Sequence, residues 1–185
     1  MMELRDIGLY LILTAPVCGY DEVTRAAVNN EIPLLQLRIK EGSDRFIYET
    51  ALKLRNITQG TVTKLIINDR IDIAMAVDAD GVHLGQDDIS PEIARQLLGK
   101  NKIIGYSTHN IKQLEIANAL DLDYVGIGPV FKTPTKKIPD PELTLELMRK
   151  MISYSHHPYF VIGGIDQNNL QDVVQNGAEN FCVVR

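Results

Sequence analysis

Residues 64–88 read KLIINDRIDIAMAVDADGVHLGQDD and contain the pattern that decides the fold. Two apolar runs, Lys64–Asn68 and Gly81–Leu84, flank a helix that begins near Arg70. The runs are continuously apolar rather than alternating, which predicts strands buried on both faces of a parallel sheet. Each run ends in a small polar cluster, Asn68-Asp69 in the first and Gly85-Gln-Asp-Asp88 in the second.

The same strand-helix unit repeats along the whole chain. Eight such strands predict an α/β fold, a parallel (β/α)8 TIM barrel. A doubly wound open sheet is the alternative, but it gathers its ligand groups at one switch point, whereas polar clusters here follow many strands. The predicted strands are Leu9–Thr14, Leu34–Arg38, Lys64–Asn68, Gly81–Leu84, Ile103–Ser107, Tyr124–Gly128, Tyr159–Gly163 and Asn180–Val184.

We expect residues 1–185 to form one TIM-barrel domain that is incomplete at its C-terminus. The sequence stops at Arg185, at the end of the eighth predicted strand, so the eighth helix is missing from it. No linker, charge block or low-complexity stretch divides the chain.

The segments between the strands have helical spacing and capping residues. Ser43 and Asn110 are predicted N-caps, Ser90-Pro91 starts a further helix, and Gly177 ends the last one. Their apolar stripes are expected to be core positions, namely Phe46, Ala51, Leu52, Leu54, Ile93, Leu97, Leu98, Leu114, Ile116, Ala117, Leu120, Leu143, Leu147, Met151, Ile152, Leu170, Val173 and Val174.

Composition excludes several classes of function. The formal net charge of -5 offers no basic surplus for a nucleic-acid backbone. No apolar run reaches the roughly 20 residues of a membrane span, and nothing resembles a signal peptide, so we expect a cytoplasmic protein. Cys18 and Cys182 match no metal spacing and form no disulfide framework. The sequence leaves room for a homo-oligomer.

Carboxylates at the ends of the third and fourth strands point to a metal. The barrel would bring Asp69 and Asp88 side by side, and Mg²⁺ prefers one or two carboxylates together with phosphate oxygens and waters. Asn68 could donate to a phosphate. The alternative for Asp69 is an N-cap of the following helix, and Asp87 could take the place of Asp88 or cap the Ser90-Pro91 helix.

The second strand carries Gln36, Arg38 and Lys40 with a period of two, so all three side chains face one side. Long polar groups inside a barrel need a partner such as a ligand. We favour ligand contact for Gln36 and Lys40, and the alternative is a solvated or salt-bridged pair of charges at the rim.

Two later loops suit phosphate. The stretch Lys132-Thr133-Pro-Thr135-Lys136-Lys137 offers two hydroxyl donors beside several ammonium groups, although a solvated basic loop would have the same composition. Gly163-Gly164 joins the seventh strand to a helix, where barrels often bind phosphate through backbone N–H groups. The glycines could equally serve a tight turn.

The fifth strand ends in Ser107-Thr-His109, and Ser107 is a candidate for a phosphate hydrogen bond. A capping or solvated role for His109 is as plausible as a catalytic one. His83 reads as a hydrogen-bonded core histidine, and His156-His157 as a loop at the opposite face.

Taken together, the motifs resemble the thiamine-phosphate synthase (thiamine-phosphate pyrophosphorylase) family over nearly the whole chain. Each motif is weak alone, but their order is specific. They are Gln36-Leu-Arg-Ile-Lys40, Ile67-Asn-Asp69, Gly81-Val-His-Leu-Gly-Gln-Asp-Asp88, Gly105-Tyr-Ser-Thr-His109, Gly126-Ile-Gly-Pro-Val-Phe-Lys-Thr-Pro-Thr-Lys-Lys137 and Ile162-Gly-Gly-Ile165.

The resemblance implies a transferase with two small-molecule substrates. It would join 4-amino-2-methyl-5-hydroxymethylpyrimidine diphosphate to 4-methyl-5-hydroxyethylthiazole phosphate, releasing pyrophosphate. By family match, Asp69 and Asp88 would bind Mg²⁺. The pyrimidine diphosphate would be held by Gln36, Arg38, Lys40, Asn68, Ser107 and Lys136, and the thiazole phosphate by Thr133, Thr135 and Gly164.

The implied mechanism is dissociative. Pyrophosphate leaves the pyrimidine methylene carbon, the electron-rich ring stabilises the cation, and the thiazole nitrogen attacks. Mg²⁺, Lys136 and Lys40 would stabilise the leaving group, with Ser107 in contact with it, and no protein nucleophile is needed. In this family the segment after the eighth strand supplies backbone N–H groups to the thiazole phosphate. That segment is missing from this sequence, which ends at Arg185.

Two rival functions remain open on the sequence. A thiazole tautomerase shares the barrel but transfers protons and needs no magnesium diphosphate site, so Asp69, Asp88, Gln36 and Lys136 favour the synthase. A non-catalytic barrel that binds thiamine precursors is favoured only by the missing eighth helix.

Overall fold

A computed structural model describes residues 4–5, 7–133 and 141–184. Eight parallel strands close into a barrel in sequence order, with β8 paired to β1. The predicted TIM barrel is therefore confirmed, and the open-sheet alternative is wrong. The strands are β1 Leu9–Leu13, β2 Leu34–Leu37, β3 Lys64–Asn68, β4 Gly81–Leu84, β5 Ile103–Thr108, β6 Tyr124–Ile127, β7 Tyr159–Val161 and β8 Phe181–Val184.

One helix follows each of the first seven strands. Ser43 and Asn110 are confirmed as N-caps, because their side chains accept the backbone N–H groups of Phe46 and Gln113. The helices are α1 Tyr20–Asn29, α2 Asp44–Thr58, α3 Ile71–Ala76, α4 Pro91–Leu98, α5 Ile111–Ala117, α6 Leu145–Tyr154 and α7 Leu170–Gln175.

The strands separate two apolar cores. Alternate strand residues point into the barrel, where Tyr10, Leu34, Ile66, Tyr124 and Phe160 form a cluster. The other residues of each strand pack outward against the helices in a larger core. Because the candidate ligand groups continue the inward-facing rows, they emerge at the open end of the barrel.

Several helix positions expected in the core are exposed instead. Phe46, Ile93, Leu97, Ile116 and Val174 are all at least 46% exposed. The buried faces are narrower than the apolar stripes and include both large and small residues, because only one side of each short helix lies against the strands. Leu52 is likewise exposed, whereas Ile47, Thr50, Ala94 and Met148 contribute to the buried faces.

Three even-numbered strands are each preceded by a side chain that accepts a backbone N–H from the neighbouring part of the sheet. We call these side chains anchors. Asp80, Asp123 and Asn180 stand directly before β4, β6 and β8. The carboxylate of Asp80 accepts the Leu65 N–H at 2.9 Å, and that of Asp123 accepts the Ile104 N–H at 2.8 Å. Asn180 Oδ1 likewise accepts from Ile7 and Gly8, at 2.9 and 2.8 Å. Asp80 and Asp123 each tie two neighbouring strands together, and Asn180 ties the start of β8 to the segment that enters β1, all at the end away from the candidate site.

The first described residues close that end of the barrel. Leu4 is 6% exposed and packs into the interior cluster, while Asn180 Nδ2 donates to the carbonyl of Arg5. Within the described ranges, no helix has the length and apolar character needed to cross a membrane.

Candidate active site

Acidic and basic groups meet at the ends of β2, β3 and β4. Lys40 Nζ lies 2.5 Å from Asp69 Oδ2. Arg38 is partly buried nearby; burial lowers the pKa of its guanidinium, and the charge of Asp69 opposes that change. The period-two pattern therefore brings Arg38 and Lys40 to the carboxylate that follows β3.

Asp88 completes this group. Its Oδ2 accepts the Gly85 N–H at 2.6 Å, which folds the loop after β4 back on itself. Its side chain lies within hydrogen-bonding reach of Asp69. Burial raises the pKa of Asp88, the Gly85 N–H opposes that rise, and the neighbouring Asp69 adds to it, whereas Lys40 favours the charged form.

The carboxylates of Asp69 and Asp88 lie close enough together to bind a hard divalent cation between them. Two like charges this close repel, and a cation between them would remove the repulsion. The described part of the chain contains no group of three or more His, Cys, Asp or Glu side chains that could hold a metal ion by themselves. A pair of carboxylates is the donor set expected for Mg²⁺ that shares its remaining positions with substrate oxygens and waters.

The capping alternative for Asp69 is wrong. Arg70 occupies the N-cap position of α3 and makes no side-chain cap hydrogen bond. Instead, Arg70 donates to Asp44 at 2.7 Å and to Asp72 at 2.5 Å. Asp69 itself adopts a left-handed backbone with φ +59°, and its N–H donates to the His83 carbonyl at 2.8 Å. This backbone turn directs the Asp69 side chain toward Lys40.

Gln36 and Ser107 lie deeper in the barrel. Gln36 is 1% exposed, and its Nε2 donates to Tyr10 Oη at 2.7 Å. Ser107 Oγ lies 2.8 Å from His83 Nε2, and Gln86 Nε2 donates to the Ser107 carbonyl at 2.6 Å. Gln36 thus already has a protein partner. Its expected ligand contact, like that of Asn68 at the end of β3, stays a prediction.

The loop after β6 packs against the turn after β7. The Phe131 N–H donates to the Gly163 carbonyl at 2.9 Å. Gly163 and Gly164 have φ of +108° and +63°, and a Cβ at Gly164 would stand 2.6 Å from the Lys132 carbonyl oxygen. The glycines therefore do serve a tight turn, and that turn brings Gly164 beside the segment that leads to Thr133. Thr135 and Lys136 lie outside the described residues.

His109 joins the two sides of this region. Its Nδ1 lies 2.6 Å from the Gly128 carbonyl oxygen, which is an acceptor, so Nδ1 carries the proton. His83 is hydrogen-bonded through both ring nitrogens, as predicted. His157 contacts the Ala117 carbonyl at the opposite face.

Sequence reasoning missed Tyr10 and Tyr124. Both are buried inside the barrel, and their hydroxyl oxygens lie 2.9 Å apart. They connect Gln36 on one side to His83 and Ser107 on the other. The available signal was a polar atom at inward-facing positions of two otherwise apolar strands.

The family model described as "Thiamine monophosphate synthase" matches residues 9–185. The chain belongs to this family. A thiamine-phosphate synthase of Nostoc sp. strain PCC 7120 is 45% identical over 98% of the chain and 51% of its own length. That of Persephonella marina is 40% identical over 99% of the chain and 88% of its own length.

Solved structures agree with the family assignment. A thiamine phosphate pyrophosphorylase from Pyrococcus furiosus has a TM-score of 0.86 and 32% identity, with 98% of this chain and 87% of that chain covered. An N-acetylmannosamine-6-phosphate 2-epimerase from Clostridium perfringens, at 12% identity and a TM-score of 0.70, shares the fold alone. The chain spans about half the length of the first three curated family members it matches.

Proposed function

We propose that this chain is a thiamine-phosphate synthase. It condenses 4-amino-2-methyl-5-hydroxymethylpyrimidine diphosphate with 4-methyl-5-hydroxyethylthiazole phosphate to give thiamine phosphate and pyrophosphate. The observation that carries the proposal is the group formed by Asp69, Asp88 and Lys40 at the open end of the barrel. A diphosphate leaving group needs this combination of cation ligands and a cationic donor.

We assign Mg²⁺ to Asp69 and Asp88. When bound, the ion supplies positive charge opposite the departing pyrophosphate oxygens. Lys40, which pairs with Asp69, would turn its ammonium group to the same oxygens, and Arg38 beside it adds a second cation. Asn68 would donate its amide N–H to a phosphate oxygen.

The chemistry needs positioning and charge rather than a protein nucleophile. The bond between the pyrimidine methylene carbon and the pyrophosphate oxygen breaks, and its electron pair leaves with pyrophosphate. The thiazole nitrogen then forms the new carbon–nitrogen bond with its lone pair. Ser107, from β5, and Lys136 would donate to the leaving group, and Thr133, Thr135 and Gly164 would hold the thiazole phosphate in line.

A coupled assay of thiamine phosphate and pyrophosphate tests the proposal. With both substrates and Mg²⁺, we expect the two products to form in equal amounts, and formation should stop when EDTA is added or either substrate is omitted. A tautomerase would change the thiazole phosphate alone, without pyrophosphate release. A precursor-binding barrel would bind the substrates without turnover, and either result would replace the synthase proposal.

A further inference from the structure

Five side chains from five strands form a continuous hydrogen-bond network across the inside of the barrel. We call it the interior network. It connects Gln36 Nε2 to Tyr10 Oη at 2.7 Å, Tyr10 Oη to Tyr124 Oη at 2.9 Å, Tyr124 Oη to His83 Nδ1 at 3.0 Å, and His83 Nε2 to Ser107 Oγ at 2.8 Å. Both of its ends are candidate ligand groups.

The barrel is built around this network. Gly105 faces Tyr124 from the neighbouring strand, and any Cβ at that position would overlap the Tyr124 ring. The Tyr124 ring stacks on His83 at a centroid distance of 5.5 Å and meets Tyr10 edge-on at 5.7 Å. The two phenol groups therefore have fixed positions.

The direction of each proton follows from the amide of Gln36. Because Gln36 Nε2 donates to Tyr10, the Tyr10 hydroxyl uses its own proton on Tyr124; otherwise that proton would be buried without an acceptor, which is costly. By the same reasoning Tyr124 donates to His83 Nδ1. His83 must then be neutral, with its proton on Nε2, and it donates to Ser107 Oγ.

Burial supports this order. Both phenols are enclosed by the barrel, and burial is the largest cause that raises the pKa of Tyr10 and of Tyr124 well above its ordinary value. Both groups therefore keep their protons at neutral pH, so each can pass a hydrogen bond onward. Among described side chains, the buried polar atoms without a hydrogen-bond partner are Thr63 Oγ1 and Arg95 Nε, and neither belongs to the network.

We propose that the interior network fixes what its two ends offer to the substrate. Gln36 presents its acceptor, Oε1, because Nε2 is engaged by Tyr10. Ser107 presents its hydroxyl proton, because its oxygen accepts from His83. Tyr10, Tyr124 and His83 are thus positioning residues that specify an acceptor at one end and a donor at the other.

These polarities match the substrate of the proposed function, on which this step rests. An aminopyrimidine offers N–H donors, which need the Gln36 acceptor, and a diphosphate offers oxygens, which need the Ser107 donor. If the order of protons were reversed, Gln36 would present N–H groups and Ser107 would present lone pairs. The site would then favour an oxopyrimidine over an aminopyrimidine.

The first test does not require activity. We expect ¹⁵N NMR of histidine-labelled protein, above the ordinary histidine pKa of about 6.5, to show His83 with its proton on Nε2. The His83 signals are assigned as those lost in His83→Gln. A proton on Nδ1 in the unaltered protein would mean that the network runs the other way, and the proposal would be overturned whatever the activity.

The second test compares kcat/KM for the 4-amino substrate with that for its 4-oxo analogue. Tyr10→Phe frees the Gln36 amide to rotate, so the preference for the amino substrate should fall by about 10-fold or more. The matched control is Phe160→Leu, since Phe160 packs edge-on against both tyrosines but donates no hydrogen bond. Its preference ratio should stay at the unaltered value even if its stability falls.

The two tests separate the possible failures. If Tyr10→Phe slows both substrates equally and keeps the ratio, the network is merely structural and the proposal is wrong. If the unaltered protein forms no thiamine phosphate, the proposed function fails, while the His83 tautomer still decides the direction of the network.

Discussion

The surroundings of Asp88 disfavour the ionised form of its carboxylate and raise its pKa. Burial and the nearby Asp69 disfavour ionisation, and the Gly85 N–H and Lys40 only partly offset them. A group in this position stores an electrostatic cost that a bound cation would relieve. The residue therefore links metal binding to the stability of the folded chain.

Asp88→Asn should weaken the response to Mg²⁺. The amide is neutral but can still accept the Gly85 N–H, so the loop keeps its shape while the site loses one anionic ligand. We expect the Mg²⁺ concentration for half-maximal activity to rise by at least about 10-fold. The matched control is Asp87→Asn, because Asp87 is the exposed neighbour. An equal effect of the two variants would contradict the assignment of Asp88 as a specific metal ligand.

The same substitution should change stability in a pH-dependent way. The folded pKa of Asp88 is raised, so as pH rises above about 3.9 the unfolded chain ionises first and gains the advantage. Below that value Asp88 is protonated in both the folded and the unfolded chain, so its ionisation does not change the free energy of unfolding. We therefore expect the urea midpoint of metal-free Asp88→Asn to exceed that of the unaltered protein near neutral pH, with the gap closing toward pH 4. A gap that widened on acidification would contradict the assigned direction.

The anchors before the even-numbered strands should stabilise the fold more than neighbouring ion pairs on the surface do. Asp123 accepts the Ile104 N–H and pairs with Arg95 at 2.7 Å. Asp121 contacts the same arginine at 3.2 Å, but its side chain is 79% exposed. The two carboxylates therefore form a natural comparison.

Asp123→Ala should lower the free energy of unfolding by about 2–4 kcal/mol, because it leaves the Ile104 N–H without its acceptor and removes the less exposed of the two carboxylates that pair with Arg95. Asp121→Ala should cost less than about 1 kcal/mol, as exposed ion pairs do. Urea denaturation of both variants measures the difference. Equal losses would show that the strand N–H gains nothing from its anchor.

The pairing of β5 with β6 leaves no room for a side chain at Gly105. Gly105→Ala would force a methyl group into the Tyr124 ring and should cost about 3 kcal/mol or more. Gly126→Ala places its Cβ no closer than 3.4 Å to His83 Cε1 and should cost much less. If Gly105→Ala combined with Tyr124→Leu is no more stable than Gly105→Ala alone, the overlap is not the cause.

The strands were predictable because each is a short apolar run, and most are bounded by glycine, aspartate or proline. The structure keeps all eight to within two residues at either end. The buried faces of the helices were less so. Ile93 and Leu97 are apolar and correctly spaced, yet Ala94 is the residue that meets the barrel. Apolar periodicity identifies a helix, but it does not show which of the helix residues lie against the strands.

Closure of the barrel assembles the candidate site from residues that are far apart in the sequence. Lys40 and Asp69 are 29 residues apart, and Gln36 reaches Ser107 only through β1, β6 and β4. The proximity of Asp69 to Asp88 could be predicted, because the neighbouring strands β3 and β4 end side by side. The interior network could not, because it depends on which inward-facing side chains meet across the barrel.

A ligand that bridges several strand ends should stabilise the whole fold. Mg²⁺–pyrophosphate, binding as one complex and present at about 100 times its dissociation constant, should add about 2.7 kcal/mol, and for a chain of 185 residues this raises Tm by about 5–10 °C. Calorimetry with Asp69→Asn as the control measures the effect. No rise in the unaltered protein, or an equal rise in the variant, would argue against a metal diphosphate at this position.

The anchors Asp80, Asp123 and Asn180 recur at the starts of β4, β6 and β8, two strands apart each time. Before β2 the same position is Pro33, which contributes only its carbonyl, to Lys64. These braces join β3 to β4, β5 to β6, and β8 to the segment that enters β1. The loops at the open end take no part in these ties, so substitutions there leave this bracing in place.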